Sequence, residues 1–176
     1  TKIKDCFKII PTKKRDIRGS FHRSFCEKYI KNKFLFEVKQ CNISINKRKS
    51  TLRGFHYQSK PYHESKIITV VSGSIYNVTV DLRKETKSFL KKTINILSSK
   101  NSHLLLIPGG CANAFLTLSN DTVIHYYMNQ FFEDQDKRTY KGFRYNDKFF
   151  NIKWPIKPLI ISKKDKLYKN FDLAKL

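Results

Sequence analysis

Short apolar runs separated by turn residues occupy the middle of the chain. Six of them follow one another, at residues 66–71, 75–82, 93–97, 103–107, 113–118 and 122–128. Runs of this length, rich in β-branched and aromatic residues and bounded by Gly, Pro, Ser and Asn, are typical of β-strands. Gly73 separates the first two runs and predicts a hairpin between them. The series predicts an all-β, double-sheet barrel of the jelly-roll type.

Helical patterns are short and lie outside this series. Residues 24–34 predict one short helix, and residues 162–171 predict another that begins at the cap Ser162. The side chains expected to face the core from the first helix are Phe25, Tyr29 and Ile30. We therefore expect only minor, peripheral helices.

The chain is strongly basic but carries no basic block. It has 176 residues, a size that predicts a single domain over residues 1–176, and 36 Lys plus Arg against 14 Asp plus Glu give a net charge of +22. The basic residues are scattered through every segment and accompany Asn, Ile, Phe and Tyr, the residues of A- and T-rich codons. This pattern does not favour a nucleic-acid partner, although a positive surface attracts an anionic small substrate.

Neither membrane insertion nor export is indicated. The longest apolar stretch, at 104–108, is strand-sized, whereas a membrane-spanning helix needs roughly 18 or more residues. The first residues lack the order of a signal peptide, so we expect a cytoplasmic protein without a membrane partner. The cysteines lack C-x-x-C spacing and are expected to be free thiols: Cys6, Cys26, Cys41 and Cys111.

The histidines do not form a recognisable metal motif. His56 and His63 are seven positions apart with Pro61 between them, whereas two histidines on one face of one strand need an even offset. The neighbouring Glu64 is the one feature that favours a metal. We predict no metal and no cofactor. The sequence also lacks a G-x-S-x-G elbow and a glycine-rich phosphate loop.

The stretch RGFHYQ at 53–58 is the clearest candidate for chemistry. On a strand, the side chains of His56 and Gln58 share one face, and Gly54 leaves room beside them. Arg53 joins them only if Gly54 allows a bend or bulge. From these residues alone, His56 is either a packed core residue or a base.

The combination of LRG-x-H-x-Q at 52–58, VDLRK at 80–84 and a late WP at 154–155 closely resembles the dTDP-4-dehydrorhamnose 3,5-epimerase family of sugar-nucleotide enzymes. The resemblance runs from about residue 9 to 171, and this combination is its most specific part. The segments that carry the resemblance are RDIRGSF (15–21), QCN (40–42), LRGFHYQ (52–58), ESK (64–66), GSIYNVTVDLRKET (73–86), IPGGCANAF (107–115), IHYYM (124–128), YNDKFFNIKWP (145–155) and ISKKD (161–165).

The resemblance implies a metal-free, cupin-like jelly roll that forms a homodimer and acts on a nucleotide sugar. The expected reaction is epimerisation at C3, C5 or both in a nucleoside-diphosphate-linked 4-keto-6-deoxy sugar, in a pathway for a cell-surface polysaccharide. By position, His56 matches the family's base and Asp165 the carboxylate paired with it. Tyr126 matches the general acid on the opposite face of the sugar. Lys66 and Arg53 match cations near the ketone oxygen and the diphosphate.

The resemblance also implies contacts with the rest of the substrate. These are assigned to Arg18, Gln40 and Asn42 for the nucleotide. Gln58, which shares a strand face with His56, is a further candidate for substrate binding. Two positions depart from the family: Asn113 stands where a histidine near the ketone oxygen is usual, and Arg23 where a glutamate facing the nucleobase is common. The first leaves open how many carbons are inverted, and the second leaves open which base is bound.

The chemistry explains these residue types independently. A proton next to a ketone is removed only if the enolate is stabilised, which preorganised cations or donors provide. Histidine titrates near neutral pH, and a carboxylate fixes its tautomer. Three alternatives remain: a C3-only epimerase for a CDP- or GDP-linked hexose or heptose, an inactive sugar-nucleotide-binding protein, and a basic nucleic-acid binder with strongly salt-dependent affinity.

Overall fold

The computed structural model describes residues 1–131 and 140–176 and is built mainly from β-strands. The strands are β1 (Phe7–Ile9), β2 (Lys13–Asp16), β3 (Gly19–His22), β4 (Gln40–Asn46), β5 (Thr51–Gln58), β6 (Lys66–Ser72), β7 (Ser74–Asp81), β8 (Lys92–Ser98), β9 (Leu104–Ile107), β10 (Cys111–Thr117), β11 (Thr122–Met128), β12 (Tyr140–Gly142) and β13 (Ile160–Ile161). The helices are α1 (Glu27–Phe34), α2 (Lys163–Leu167) and a 3-10 turn, Leu173–Lys175.

Two sheets form a jelly roll. The five-stranded sheet has the order β1-β9-β6-β11-β4, and the six-stranded sheet has the order β12-β5-β10-β7-β8, with β13 also paired to β5. Strands β2 and β3 form a separate two-stranded hairpin. The six runs predicted as strands are confirmed as β6 to β11, and so is the double-sheet architecture.

The predicted hairpin around Gly73 is wrong. Strand β6 pairs with β9 and β11, whereas β7 pairs with β10 and β8, so the chain passes from one sheet to the other at Gly73. The glycine has a φ of +78°, and a Cβ there would lie 2.5 Å from the Thr122 hydroxyl. The local pattern could not separate the two cases, because both put a buried strand on either side of a tight turn.

The core has a central layer and two outer layers. Between the sheets, Ile68, Leu105 and Ile124 of the five-stranded sheet pack with Ile75 and Phe115 of the six-stranded sheet. Alternate residues of the same strands point outward, as the two-residue period of a strand requires. One outer face is covered by the C-terminal segment through Phe143, Phe150 and Trp154, and the other by the segment around α1 through Phe25, Ile30 and Phe36.

Helix α1 is shorter than predicted and buries a single residue. Ile30 is buried, but Tyr29 is 62% exposed, so its predicted inward orientation is wrong. The guanidinium of Arg23 lies 5.7 Å from the centre of the Tyr29 ring instead. A helix of two turns against a sheet buries only a narrow stripe, and Tyr29 lies beside that stripe.

The other expectations about helices and cysteines have mixed outcomes. Ser162 caps α2, accepting a hydrogen bond from the Asp165 amide at 3.0 Å, but the helix ends at Leu167 rather than at residue 171. All four cysteines are free, with Cys6 and Cys111 buried. Within residues 1–131 and 140–176, none of the helices has the length and apolar character needed to cross a membrane.

Candidate active site

A cavity of about 300 Å³ opens between the two sheets and collects most of the chemically interesting side chains. Strands β4, β6 and β11 supply one wall, and β5 and β10 supply the other. The lining residues are Asn42, Ile43, Ser44, Arg53, His56, Glu64, Lys66, Asn113, Phe115, Tyr126, Met128 and Tyr140. The sequence-predicted set is therefore largely brought together by the fold.

His56 on β5 is paired with a buried carboxylate. Its Nε2 lies 2.7 Å from Oδ1 of Asp165, whose side chain is 4% exposed. The other carboxylate oxygen accepts the Gly54 amide at 3.1 Å. Burial alone would raise the pKa of Asp165, but the hydrogen bonds from His56 and Gly54 outweigh it and hold that pKa below its ordinary value. An ionised Asp165 favours a proton on Nε2 and leaves Nδ1 as a free base.

The bulge predicted at Gly54 is present. The β5–β10 register shifts between the pairs Asn113–His56 and Phe115–Arg53, so one extra residue is accommodated on β5. Gly54 has a φ of +106°, and a Cβ there would lie 2.5 Å from the Asn113 carbonyl oxygen. The bulge turns Arg53 into the same cavity as His56, where Arg53 Nε donates to Asn46 Oδ1 at 2.9 Å.

Lys66 is a buried cation with a buried partner. Its Nζ lies 2.5 Å from Oε1 of Glu64, and the two side chains are 11% and 3% exposed. Burial by itself lowers the pKa of Lys66, but the adjacent Glu64 charge outweighs it, and the pKa lies above its ordinary value. Lys66 is therefore held protonated inside the cavity.

Tyr126 on β11 faces the cavity from the sheet opposite His56. Burial raises the pKa of its hydroxyl far above the ordinary value, and the nearby Arg53 charge offsets this only in part. The phenol is therefore kept in its acid form at neutral pH. An acid on one wall and a base on the other are placed to act on opposite faces of a bound molecule.

Three polar side chains of the cavity were not predicted as part of a catalytic or substrate-binding site, namely Ser44, Glu64 and Tyr140, and neither were the apolar Ile43, Phe115 and Met128. From the sequence alone, Glu64 is a candidate only as a metal ligand. Tyr140 on β12 places its ring centre 5.7 Å from that of His56. Its position depends on the pairing of β12 with β5, a long-range contact that no local pattern announces.

Four predicted substrate-binding residues do not line this cavity. Gln40 is the first residue of β4, and its Nε2 donates to Asn42 Oδ1 at 2.9 Å. Gln58 lines a separate cavity of about 340 Å³ and approaches Glu64 Oε2 at 3.4 Å. Arg18 is 85% exposed on the β2–β3 hairpin, where it pairs with Asp16. The fourth, Arg23, lies near α1 over the Tyr29 ring.

The three residues considered as metal ligands do not converge on one point, because His56 and Glu64 line the first cavity and His63 does not. His63 lines the same separate cavity as Gln58, whereas Glu64 pairs with Lys66. Across residues 1–131 and 140–176, the structure contains no group of three or more His, Cys, Asp or Glu side chains that could hold a metal ion.

Known proteins resemble this chain over nearly its whole length. Residues 1–172 match the model of the dTDP-4-dehydrorhamnose 3,5-epimerase family. The dTDP-4-dehydrorhamnose 3,5-epimerase of Shigella flexneri is 34% identical over 166 residues, which cover 94% of this chain and 90% of that protein.

Solved structures agree with this match. The dTDP-4-dehydrorhamnose 3,5-epimerase of Bacillus anthracis, with TDP and PPi bound, has a TM-score of 0.88 at 33% identity and covers 95% of this chain and 94% of its own. The RmlC epimerase of Legionella pneumophila, in complex with dTDP-4-keto-L-rhamnose, has a TM-score of 0.88 at 29% identity, with coverages of 97% and 89%. The chain therefore belongs to the dTDP-4-dehydrorhamnose 3,5-epimerase family of isomerases.

Proposed function

We propose that this protein epimerises a nucleoside-diphosphate-linked 4-keto-6-deoxy sugar at C3, at C5 or at both. The observation that carries the proposal is the His56–Asp165 pair on one wall of the cavity with Tyr126 on the other. Inversion of a carbon requires a proton to leave from one face and to return to the other, so the base and the acid must be different residues.

In the first step, Nδ1 of His56 takes a proton from the carbon next to the C4 ketone. The Asp165 carboxylate accepts the Nε2–H bond and stabilises the imidazolium that forms. Both C3 and C5 adjoin the ketone, so the same base serves either centre.

In the second step, negative charge develops on the ketone oxygen and must be stabilised. Lys66, kept protonated by Glu64, and the Arg53 guanidinium are the cations of the cavity. In a buried site such preorganised charges stabilise an enolate far more than they would in water. Asn113 adds a neutral donor on the β10 wall.

In the third step, Tyr126 returns a proton to the carbon from the opposite face. Its raised pKa keeps the proton on the phenol until the carbanion accepts it. The resulting phenolate is stabilised by Arg53, whose charge favours the ionised form of Tyr126.

The net charge of the chain supports an anionic substrate, and the position of Arg18 on the β2–β3 hairpin supports a homodimer. A net charge of +22 favours an anionic substrate such as a nucleotide sugar. Arg18 lies on an exposed hairpin outside the cavity of its own chain, which supports a homodimer in which Arg18 contacts the partner subunit's substrate. We further propose that residues 1–176 act as one domain, in the cytoplasm, without a metal or cofactor.

Asn113 favours one alternative within the same chemistry. A neutral donor stabilises an enolate less than a cation does, so inversion at C3 alone is the second candidate. Arg23 stands where the family commonly has a glutamate facing the nucleobase. This candidate therefore includes a CDP- or GDP-linked hexose or heptose as the substrate. A protein that binds sugar nucleotides without activity is the third candidate, and the intact His56, Asp165, Lys66 and Tyr126 set argues against it.

Proton exchange tests the proposal and separates these candidates. The protein is incubated in heavy water with dTDP-, CDP- or GDP-linked 4-keto-6-deoxyhexoses, and deuterium at C3 and C5 is followed by NMR. We expect incorporation at one or both carbons with at least one of these nucleotides. Binding of a nucleotide sugar without exchange at either carbon would favour the inactive binding protein and contradict the epimerase.

A further inference from the structure

Asn113 is held from behind by two buried polar side chains of β7. The Nδ2 of Asn77 donates to Asn113 Oδ1 at 2.9 Å, and Oγ1 of Thr79 lies 3.3 Å from the same oxygen. Asn77 and Thr79 have no exposed surface, and Asn113 is 8% exposed. In the β7–β10 register, Asn113 lies opposite Thr79 and also pairs with His56 on β5. A row of polar side chains therefore runs from the interior of the sheet to the candidate base.

The hydroxyl of Thr79 decides which way the two amides point. Its Oγ1 lies 3.3 Å from the Oδ1 atoms of both asparagines, so its hydrogen has a side-chain oxygen to reach. If both amides were reversed, the hydroxyl would face two NH₂ groups, and its own hydrogen would lose both of these acceptors. A buried donor without an acceptor is unfavourable, so the arrangement with Asn113 Oδ1 toward β7 is the favoured one.

The other end of the Asn113 amide consequently faces the cavity. Asn113 lines the cavity with His56, Lys66 and Tyr126. Its Nδ2 has no hydrogen-bond partner among residues 1–131 and 140–176, while its oxygen is occupied by Asn77 and Thr79. An amide fixed in this way presents N–H groups to whatever binds there, and it cannot present its oxygen.

We propose that Asn77 and Thr79 are positioning residues that fix Asn113 as a neutral oxyanion donor. The inference rests on the proposed epimerase function and deepens it. The Asn113 NH₂ group donates to the ketone oxygen as it becomes an enolate oxygen, and Asn77 prevents the amide from turning its own oxygen toward that negative charge. Because an amide does not titrate, this donor has the same strength at every working pH.

The substitution Asn77→Asp tests this assignment. The ionised carboxylate cannot donate, so it accepts from Asn113 Nδ2 instead, and the reversed amide presents Oδ1 to the enolate. We expect the rate of proton exchange at saturating substrate to fall about 10²-fold, the size of the loss of one oxyanion donor, with little change in KM. A protonated carboxyl can still donate to Asn113 Oδ1. The ratio of variant to natural activity, measured per folded protein, should therefore rise as the pH falls.

A second substitution should restore the pairing. In the double variant Asn113→His/Asn77→Asp the carboxylate favours the imidazolium form of the new histidine, and an imidazolium can donate both to the carboxylate and toward the cavity. We expect the double variant to exchange faster than Asn77→Asp alone. Asn95→Asp is the matched control, because Asn95 pairs with Asn77 in the β7–β8 register and adds the same charge one strand farther from Asn113. It should lose far less than the roughly 10²-fold expected for Asn77→Asp, because no oxyanion donor is lost.

The outcomes separate the assignment from the function. The positioning role is overturned if the natural protein exchanges and Asn77→Asp exchanges at the same rate. It is also overturned if Asn95→Asp loses as much activity as Asn77→Asp. Neither outcome contradicts the epimerase function. Absence of exchange in the natural protein overturns both. If Asn77→Asp does not fold, Thr79→Val removes only the hydroxyl. We expect Thr79→Val to lower exchange several-fold at constant KM, and an unchanged rate overturns the assignment.

Discussion

The imidazole of His56 and the carboxylate of Asp165 lie 2.7 Å apart, although 109 positions separate them in the sequence. The parallel pairing of β13 with β5 explains the contact, since Ile160 and Ile161 align with Thr51 and Leu52 just before α2 begins. The Ser162 cap then sets the first turn of α2, which carries Asp165. The pair is thus positioned by backbone pairing, and its geometry does not depend on flexible side chains alone.

Replacing His56 tests the base directly. In a folded His56→Ala protein we expect the rate of deuterium exchange to fall by about 10²-fold to 10⁴-fold, the loss typical of removing a positioned acid or base. His63→Ala is the matched control, because His63 faces a different cavity. It should exchange at the natural rate. Near-normal exchange by His56→Ala would rule out its role as the base.

The substitution Asp165→Asn tests which ring nitrogen of His56 carries the proton. The Gly54 amide needs an oxygen acceptor, so the new amide should turn its NH₂ group toward His56 Nε2. The imidazole proton is then forced onto Nδ1, and the free base is lost. We expect a loss of about 10²-fold to 10⁴-fold at neutral pH with the substrate still bound, measured by single-turnover exchange and by substrate titration. A loss of binding with normal exchange would point to a structural role.

The sequence predicted the strands well because short runs of β-branched and aromatic residues between turn residues are a local property. It failed at Gly73, where a turn between sheets and a turn within one sheet have the same local pattern. The sequence also predicted that Tyr29 faces the core, which is wrong. The helical periodicity of apolar residues does not show how wide a face a short helix buries.

The candidate site was accessible from sequence mainly through the resemblance. The local pattern around Gly54 did predict the bulge that brings Arg53 and His56 together. Tyr140 and the Asn77–Asn113 contact depend on pairings between distant strands. Their chemistry is set by which partner each side chain meets, and no single segment encodes that.

Glu64→Gln tests the charge on Lys66. The Glu64 charge raises the pKa of Lys66, and burial lowers it. Without that charge, burial dominates and the Lys66 pKa falls, so Lys66 loses its proton at a lower pH. We expect the alkaline fall in the exchange rate to begin at lower pH in Glu64→Gln than in the natural protein. Glu85→Gln, on the border of the separate cavity, is the control and should keep the natural pH profile.

Arg18 tests the homodimer. If Arg18 completes the partner subunit's site, Arg18→Ala should raise KM, and mixing it with His56→Ala subunits should restore activity. A mixed dimer would contain one site with an intact His56 and the partner's intact arginine. The control mixes Arg18→Ala with the double variant Arg18→Ala/His56→Ala, which offers no intact site. Full activity in a monomer, measured by sedimentation under assay conditions, would contradict this arrangement.

We expect the balance between proton exchange at C3 and at C5 to depend on Asn113. With a neutral donor there, the enolate relies more heavily on Lys66 and Arg53, so each proton abstraction is less favourable. The first inversion, at C3, also changes the ring before a second abstraction can occur, and a weakened site releases the product after one step. We therefore expect rapid deuterium incorporation at C3 in heavy water and slower or no incorporation at C5, followed by NMR.

Asn113→His should shift the ratio of exchange at the two carbons toward C5. The shift should be larger when Asn77→Asp accompanies it, because the Asn77 amide otherwise donates to the ring and keeps it neutral. Equal rates at both carbons in the natural protein would show that Asn113 does not limit the second inversion.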